Sequence, residues 1–390
     1  MTLAHLNTCT DVQSYAIASR QVVLPNRVGP ATIWIEDGRI AQIDEDRIDG
    51  RARTHSDDFL MPGLIELHTD HLEPHYTPRP KVLWDTDAAV LSYDAQIAAS
   101  GITTVFDSLR CGFDIDATSS DNGLFVLQGA IDRARDAGLL RAQHLTHLRC
   151  EICSETVLSD ALRFVAKHPV GLMSLMDHTP GARQFRDEGK LRDYYRGKSN
   201  KTDAELDAFF AHRHELYKSN HDIHRAGLIN LARGKHIRLA SHDDTTPDHV
   251  TESLSSGVGL AEFPTTFEAA QACRDAGIAV MMGAPNVVRG GSHSGNVAAR
   301  DLAEAGLLDI LSSDYVPSSL LQAAFMLRAV PAIGGLAGAI KLVTIAPAEA
   351  AGLNDRGAIS VGKRADIVRV SLPCRVPVVR EVYCGGERVA

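Results

Sequence analysis

A chain of 390 residues with 44% hydrophobic and 23% charged residues is ordinary for a soluble globular protein, and is long enough for one large core plus a small companion domain. Its net charge of −9 argues against a general nucleic-acid binder, which would cluster Lys and Arg against phosphates. No run of about 18 apolar residues is present to span a membrane. The start of the chain lacks a charged segment followed by an apolar one, so a secretory signal is not expected. Seven scattered cysteines, an odd number, suit reduced thiols in a cytoplasm.

In chain order, residues Ala31 to Ile43 alternate around Asp37-Gly38, a hairpin signal. Next comes Met61-Pro-Gly-Leu-Ile-Glu-Leu-His-Thr-Asp-His71, an apolar run after a Pro-Gly turn that ends in His68 and Asp70. Alternate strand residues share a face, so His68 and Asp70 could hold one ion together. His71 would point away from them if the strand stays regular.

Eight strands are predicted: Leu64 to Leu67, Thr103 to Asp107, Ala142 to Leu148, Val170 to Met176, Ile237 to Ser241, Gly259 to Phe263, Ile278 to Met282 and Leu308 to Ser312. Amphipathic helices lie between them. Leu124, Leu127, Ile131 and Ala134 recur at three and four, Thr202-x-x-Glu205 is a capping box, and Thr265-x-x-Glu268 looks like another. This α/β alternation predicts a closed (β/α)8 TIM-like barrel over residues 61–350. A small β-sandwich domain would be built from both ends of the chain, residues 1–60 and 351–390, the second carrying a strand pattern around Gly385-Gly386.

Active groups of such a barrel sit at the carboxyl ends of its strands. There this chain carries His68 and Asp70, then His147, Arg149 and Glu151, then Asp177-His178, then His242-Asp243-Asp244, then Glu262, and last Asp314. A lone histidine at a strand end is more often a structural hydrogen-bonding group, but at least five coinciding ends point to a metal centre. Mixed imidazole and carboxylate groups suit zinc, manganese or iron better than calcium or magnesium. His68, Asp70, Glu151, His242, Glu262 and Asp314 are therefore the expected ligands of one or two divalent ions, zinc or manganese, with Glu151 able to bridge. Asp314 is also the expected base, and His178 a further ligand or proton donor.

Cys150-x-x-Cys153 lacks a second pair and reads as buried bystanders. From Gly181 to Lys201 seven basic residues face three acidic ones, a solvated loop or a place to capture a small polyanion. The run Gly283 to Asn296, with Arg289, Ser292, His293 and Ser294 among glycines, suits an anion through backbone N–H groups. His293 is a candidate second proton donor.

Pro62-Gly63 before the first ligands, the later histidines, Asp314, Thr344-x-x-Pro-Ala-x-Ala350 and Gly362-Lys-Arg-Ala-Asp366 together resemble the amidohydrolase superfamily. The longer runs His147-Leu-Arg-Cys-Glu151, Ser174-Leu-Met-Asp-His178, Ala240-Ser-His-Asp-Asp244, Ala261-Glu-Phe-Pro-Thr-Thr-Phe267 and Arg289 to Asn296 resemble its phosphonate-metabolism branch. That resemblance implies a hydrolase releasing diphosphate from α-D-ribose 1-methylphosphonate 5-triphosphate, in the carbon-phosphorus lyase pathway. It implies phosphate contacts from Arg149, Arg183, Arg289, Ser292, Ser294 and Lys81. A homo-oligomer, and association with the lyase proteins, are expected with it. The chain departs from the superfamily at Asp70, where His-x-His is usual, at Glu262, where many members carry histidine, and at Glu151, where others use a carboxylated lysine. A deaminase or deacylase acting on a C–N bond is the alternative on the same scaffold.

Overall fold

The structure, a computed structural model, describes residues 14–55, 57–112, 123–183, 189, 191–192, 196, 202–292 and 294–390. Five strands lead in: β1 (Tyr15–Val23), β2 (Val28–Glu36), β3 (Arg39–Glu45), β4 (Arg53–Thr54) and β5 (Phe59–Pro62). The barrel strands follow as β6 (Leu64–Thr69), β7 (Ile102–Cys111), β8 (Gln143–Glu151), β9 (Leu172–Met176), β10 (Arg238–His242), β11 (Leu260–Glu262), β12 (Ala279–Gly283) and β13 (Ile310–Ser312). Each coincides with one of the eight expected strands, and all pair in parallel in sequence order. Ile65, Leu67, Phe106, Leu172, Ala240, Leu260, Met281 and Ile310 fill the barrel, and Ala348 and Ala351 of helix Ile345–Ala351 close its bottom.

The ring is sealed differently between β13 and β6. Near the bottom, the carbonyls of Leu342 and Val343 accept from the N–H groups of Leu311 and Ile65, so a loop stands where ladder bonds would. At the top a single bridge joins Thr69 to Asp314. Between these two levels the buried carboxylate of Glu66 accepts from His68 N at 2.7 Å, Ser312 Oγ at 2.9 Å and Ser313 N at 2.5 Å.

The chain returns through β14 (Ile367–Ser371), β15 (Val378–Cys384) and β16 (Glu387–Arg388), which join β1 to β5 in one sheet of order β16-β15-β14-β5-β1-β2-β3 with β4 on β1. The expected sandwich is thus one continuous sheet, whose own core draws Ile33 and Ile35 from one end of the chain and Ile367 and Tyr383 from the other. Its two tight turns meet. Asp37-Gly38 and Gly385-Gly386 all have positive φ, and a Cβ on Gly38 would lie 2.5 Å from the Gly385 carbonyl oxygen. Met61 and Pro62 still pair with β14, two residues beyond the expected domain edge at 60.

Two local expectations need correction. Thr202 and Glu205 form the expected capping box of helix Asp203–Lys235, but the next cap is Thr266, which accepts from Ala269 N, because helix Phe267–Asp275 starts one residue later than the Thr265 pattern implied. Strand β6 ends at Thr69, and its pairing with β7 shifts between Glu66 and Thr69. Asp70 therefore lies beyond the strand, and simple alternation does not explain its side of the rim.

Candidate active site

A cavity of about 400 Å³ opens at the carboxyl ends of the barrel strands. His68, Asp70, His178, His242, Asp243 and Asp314 line one part of it. Arg149, Arg289, Ser292 and Ser294 line another. The sequence-predicted groups thus converge from six strand ends, and cations and carboxylates share one opening.

At its floor Glu262 is fully buried. Its Oε2 accepts from Ser174 Oγ at 2.7 Å and lies 3.0 Å from His242 Nδ1 and 3.1 Å from His68 Nδ1, while Oε1 is 3.4 Å from His147 Nε2. Burial alone would raise its pKa, but His68 and the hydrogen bond from His242 outweigh it and hold the carboxyl well below its usual range. His147 also contacts Ser174 Oγ and the Leu67 carbonyl oxygen, and burial pushes its pKa down to about 3, so it stays neutral.

Glu151 does not face the cavity. Its Oε2 lies 2.6 Å from His178 Nδ1, and its Oε1 accepts from His178 N and from Arg213 Nη2 of helix Asp203–Lys235, each at 3.3 Å. Burial opposes its charge, yet His178 and Arg213 bring its pKa down to about 2. Glu151, expected as a bridging ligand, holds His178 here and also stands with Cys153 and Asp177 in a group of ligand-type atoms within 4.8 Å of one another.

At the rim Arg149 Nη1 donates to Asp70 Oδ2 at 3.3 Å. Burial pushes Asp70 up, but Arg149 and Arg110 outweigh it and keep the carboxyl below its usual range. Asp314 goes the other way. Burial first, and then the Asp70 charge, raise it to about 7. Asp314 is also held by its backbone, since Thr69 Oγ1 donates to its carbonyl at 2.7 Å.

Three non-glycine residues that follow barrel strands have left-handed backbones: Asp243 at φ 57°, Phe263 at 57° and Asp314 at 54°. Such geometry costs about 1–3 kcal/mol per residue and collects where side chains must be aimed. Phe263 sits edge-on to both His68 and His242, with ring centroids 5.0 and 5.5 Å away.

Whether these residues fit a metal ion is answered by their unmet bonds. Among the described buried side-chain atoms, His68 Nδ1, Asp243 Oδ2 and Glu262 Oε1 have no hydrogen-bond partner. Leaving such atoms bare costs free energy that a cation would recover. All three belong to clusters of ligand-type atoms within 4.8 Å of one another, one being His68, His242 and Glu262, the other His178, His242 and Asp243. The donor set fits a divalent ion.

The anion loop also differs from expectation. Residues Ala284–Arg289 are a short helix started by Pro285, and the next helix, Ala299–Glu304, begins later. Asn286 ties the two together, its Nδ2 donating to Val297 O at 3.3 Å and its Oδ1 accepting from Ala299 N at 2.9 Å. His293 lies outside the described residues.

Arg183 and Lys81 are not part of the cavity lining. Arg183 is buried on Asp244, at 2.5 Å, and on the His242 carbonyl, so it fastens the loop after β9 to β10. Lys81 is exposed, in a left-handed turn. In the basic segment Arg192 and Arg196 pair with Asp207 and Asp203, while Arg186, Lys190, Lys198 and Lys201 lie outside the described residues. Sequence reasoning did not single out Asp243, which stands in the His-Asp-Asp run after β10 and belongs to a cluster of ligand-type atoms.

Residues 207–390 match the Amidohydrolase family. The chain is 47% identical, over 376 residues covering 95% of it and 98% of the relative, to the alpha-D-ribose 1-methylphosphonate 5-triphosphate diphosphatase of Escherichia coli K12. Among solved structures, N-acetyl-D-glucosamine-6-phosphate deacetylase of Mycobacterium smegmatis is similar at a TM-score of 0.63 and 16% identity, over 96% of this chain and 100% of that one. N-isopropylammelide isopropylaminohydrolase of Burkholderia multivorans is similar at 0.62 and 16%, over 96% and 98%. At such identity the solved structures speak for the fold alone.

Proposed function

Because the chain belongs to the amidohydrolase family, in the branch of its Escherichia coli relative, we propose that it is a metal-dependent hydrolase that releases diphosphate from α-D-ribose 1-methylphosphonate 5-triphosphate and leaves the 5-phosphate. The near full-length 47% identity carries this reading. The cavity supports it, since Arg149, Arg289, Ser292 and Ser294 offer donors suited to a polyphosphate.

Imidazoles of His68, His178 and His242 and carboxylates of Asp243 and Glu262 fit one or two divalent ions, with Asp70 and Asp314 on the rim, a set that suits zinc or manganese. Such an ion, when bound, lowers the pKa of a water toward about 7 and stabilises charge on phosphoryl oxygen. Asp314, on the cavity wall, accepts the proton of the attacking water. Arg149 and Arg289 orient the triphosphate and offset the charge that builds on the leaving diphosphate. Phe263 and Met282 add apolar side chains to the cavity lining. His293, in the anion loop, is the remaining candidate proton donor.

A cytoplasmic location is supported by the described cysteines, all of which are free thiols. No helix among the described residues is long and apolar enough to cross a membrane. The 5-phosphate product is the form a carbon-phosphorus lyase would take up, so the lyase proteins and a second copy of this chain are the proposed partners.

Assays run side by side on the ribosyl phosphonate triphosphate, guanine, cytosine and N-acyl amino acids test the reading against C–N hydrolysis. Diphosphate from the first substrate is expected. Ammonia or carboxylate release, with no diphosphate, would sink it.

A further inference from the structure

His242 is shared by two clusters of ligand-type atoms, yet a neutral imidazole has a lone pair on only one nitrogen. Its surroundings decide which. Nδ1 lies 3.0 Å from Glu262 Oε2, within hydrogen-bonding distance, whereas Nε2 looks toward Asp243 Oδ2 at 3.5 Å. Glu262 Oε2, which also accepts from Ser174 Oγ, faces Nδ1 as an acceptor, so the proton belongs on Nδ1 and the lone pair on Nε2. The same arrangement recurs at His178, whose Nδ1 lies 2.6 Å from Glu151 Oε2. Two imidazoles are therefore each fixed by a buried carboxylate at Nδ1, and their rings stand 5.7 Å apart at 79°. Beside them Asp243, 5% exposed, keeps Oδ2 without a hydrogen-bond partner. Its left-handed backbone, with N–H donating to the Glu262 carbonyl oxygen at 2.8 Å, keeps that carboxylate on the cavity wall.

We propose that Asp243, with the Nε2 atoms of His178 and His242, forms a divalent-cation seat in which Glu262 and Glu151 orient the imidazoles and do not ligate the ion. Carboxylates behind metal-bound histidines fix the tautomer and ring direction, and their loss typically weakens metal affinity by about 10–100-fold. Direct ligands cost more. The seat differs from the His68, His242 and Glu262 cluster in taking Asp243 as its carboxylate. It rests on the metal-dependent reading above, but it is tested by coordination and not by turnover, so either can fail alone.

The test is cobalt(II) titration of the full-length apo-protein, followed by visible absorption and elemental analysis. Asp243→Cys is expected to give a thiolate-to-cobalt charge-transfer band absent from the cobalt-loaded wild type. Asp243→Asn, which tolerates the left-handed backbone, is expected to weaken cobalt binding by more than about 100-fold. Glu262→Gln keeps an acceptor for His242 and should preserve the shape of the visible spectrum while weakening affinity less. A folded Asp243→Cys that binds cobalt without the new band, or an Asp243→Asn with wild-type affinity and spectrum, would overturn the seat. If the cysteine variant does not fold, the asparagine variant decides alone.

Discussion

Arg183 and Arg289 show how residue type and position separate at the finest scale. Both are arginines in polar segments after barrel strands, and the sequence suggests the same anion-binding role for each. In the fold Arg183 is 8% exposed and satisfied by Asp244, whereas Arg289 is exposed and lines the cavity. Removing one partner of a buried ion pair typically costs about 3–5 kcal/mol. Arg183→Ala is therefore expected to lower stability in urea by that order. Arg289→Ala should leave the unfolding midpoint near wild type and raise KM for the triphosphate at least about tenfold, as loss of a charge-assisted contact would. Equal effects of the two variants on KM would show that the cavity boundary is drawn wrongly. Ligand types were legible in the sequence because His and carboxylate groups recur at strand ends. The surroundings of Glu151 and Asp243 were not legible, because they depend on a local left-handed turn and on Arg213 from a helix about 60 residues away, neither of which leaves a periodic signal.

Among the elements, the eight barrel strands were readable because each is a short apolar run between turn signals, and burial on both faces leaves little room for error. Their closure was not readable. The β13–β6 seam depends on Glu66, whose donors come from β6 and from the residues that lead to Asp314, and nothing in the run Glu66-Leu-His-Thr-Asp70 marks the first residue as a seam. Glu66→Ala would strand the N–H groups of His68 and Ser313 in the interior, at about 1–3 kcal/mol for each unsatisfied donor. An unfolding free energy lower by about 4 kcal/mol is the expected outcome in denaturant titration. A loss under about 1 kcal/mol would mean that the loop at Leu342 and Val343 closes the barrel by itself. The seam also sets the spacing between His68 and Asp314, so the same variant should lose activity even at temperatures where it stays folded.

Over the whole molecule, one buried cluster ties barrel strands to the outer helices away from the cavity. His144 lies between Asp107, at 2.9 Å, and Asp94, at 3.2 Å. Asp94 also accepts from the N–H groups of Arg141 and Ala142. Burial lowers the imidazole's pKa, but Asp107 and Asp94 outweigh it and raise it to about 9. The folded state thus binds this proton more tightly than the unfolded chain. The stabilisation is full below the unfolded value of about 6.5 and is lost as pH rises through about 9, on the order of 3 kcal/mol in all. Unfolding free energy should fall between about pH 7 and 9.5 in the wild type, and His144→Gln should flatten that slope while lowering stability at pH 6. A wild-type curve already flat over this range would contradict the charged cluster.

The central claim is that cations, carboxylates and imidazoles gathered from across the barrel serve to cut one phosphoanhydride bond. Incubation of the metal-loaded protein with α-D-ribose 1-methylphosphonate 5-triphosphate, followed by phosphorus NMR, reads it most directly. The expected result is intact diphosphate and the 5-phosphate appearing together at equal rates, with Asp314→Asn, still folded, slower by at least about 100-fold. Stepwise release of orthophosphate, or undiminished diphosphate release from Asp314→Asn, would contradict it.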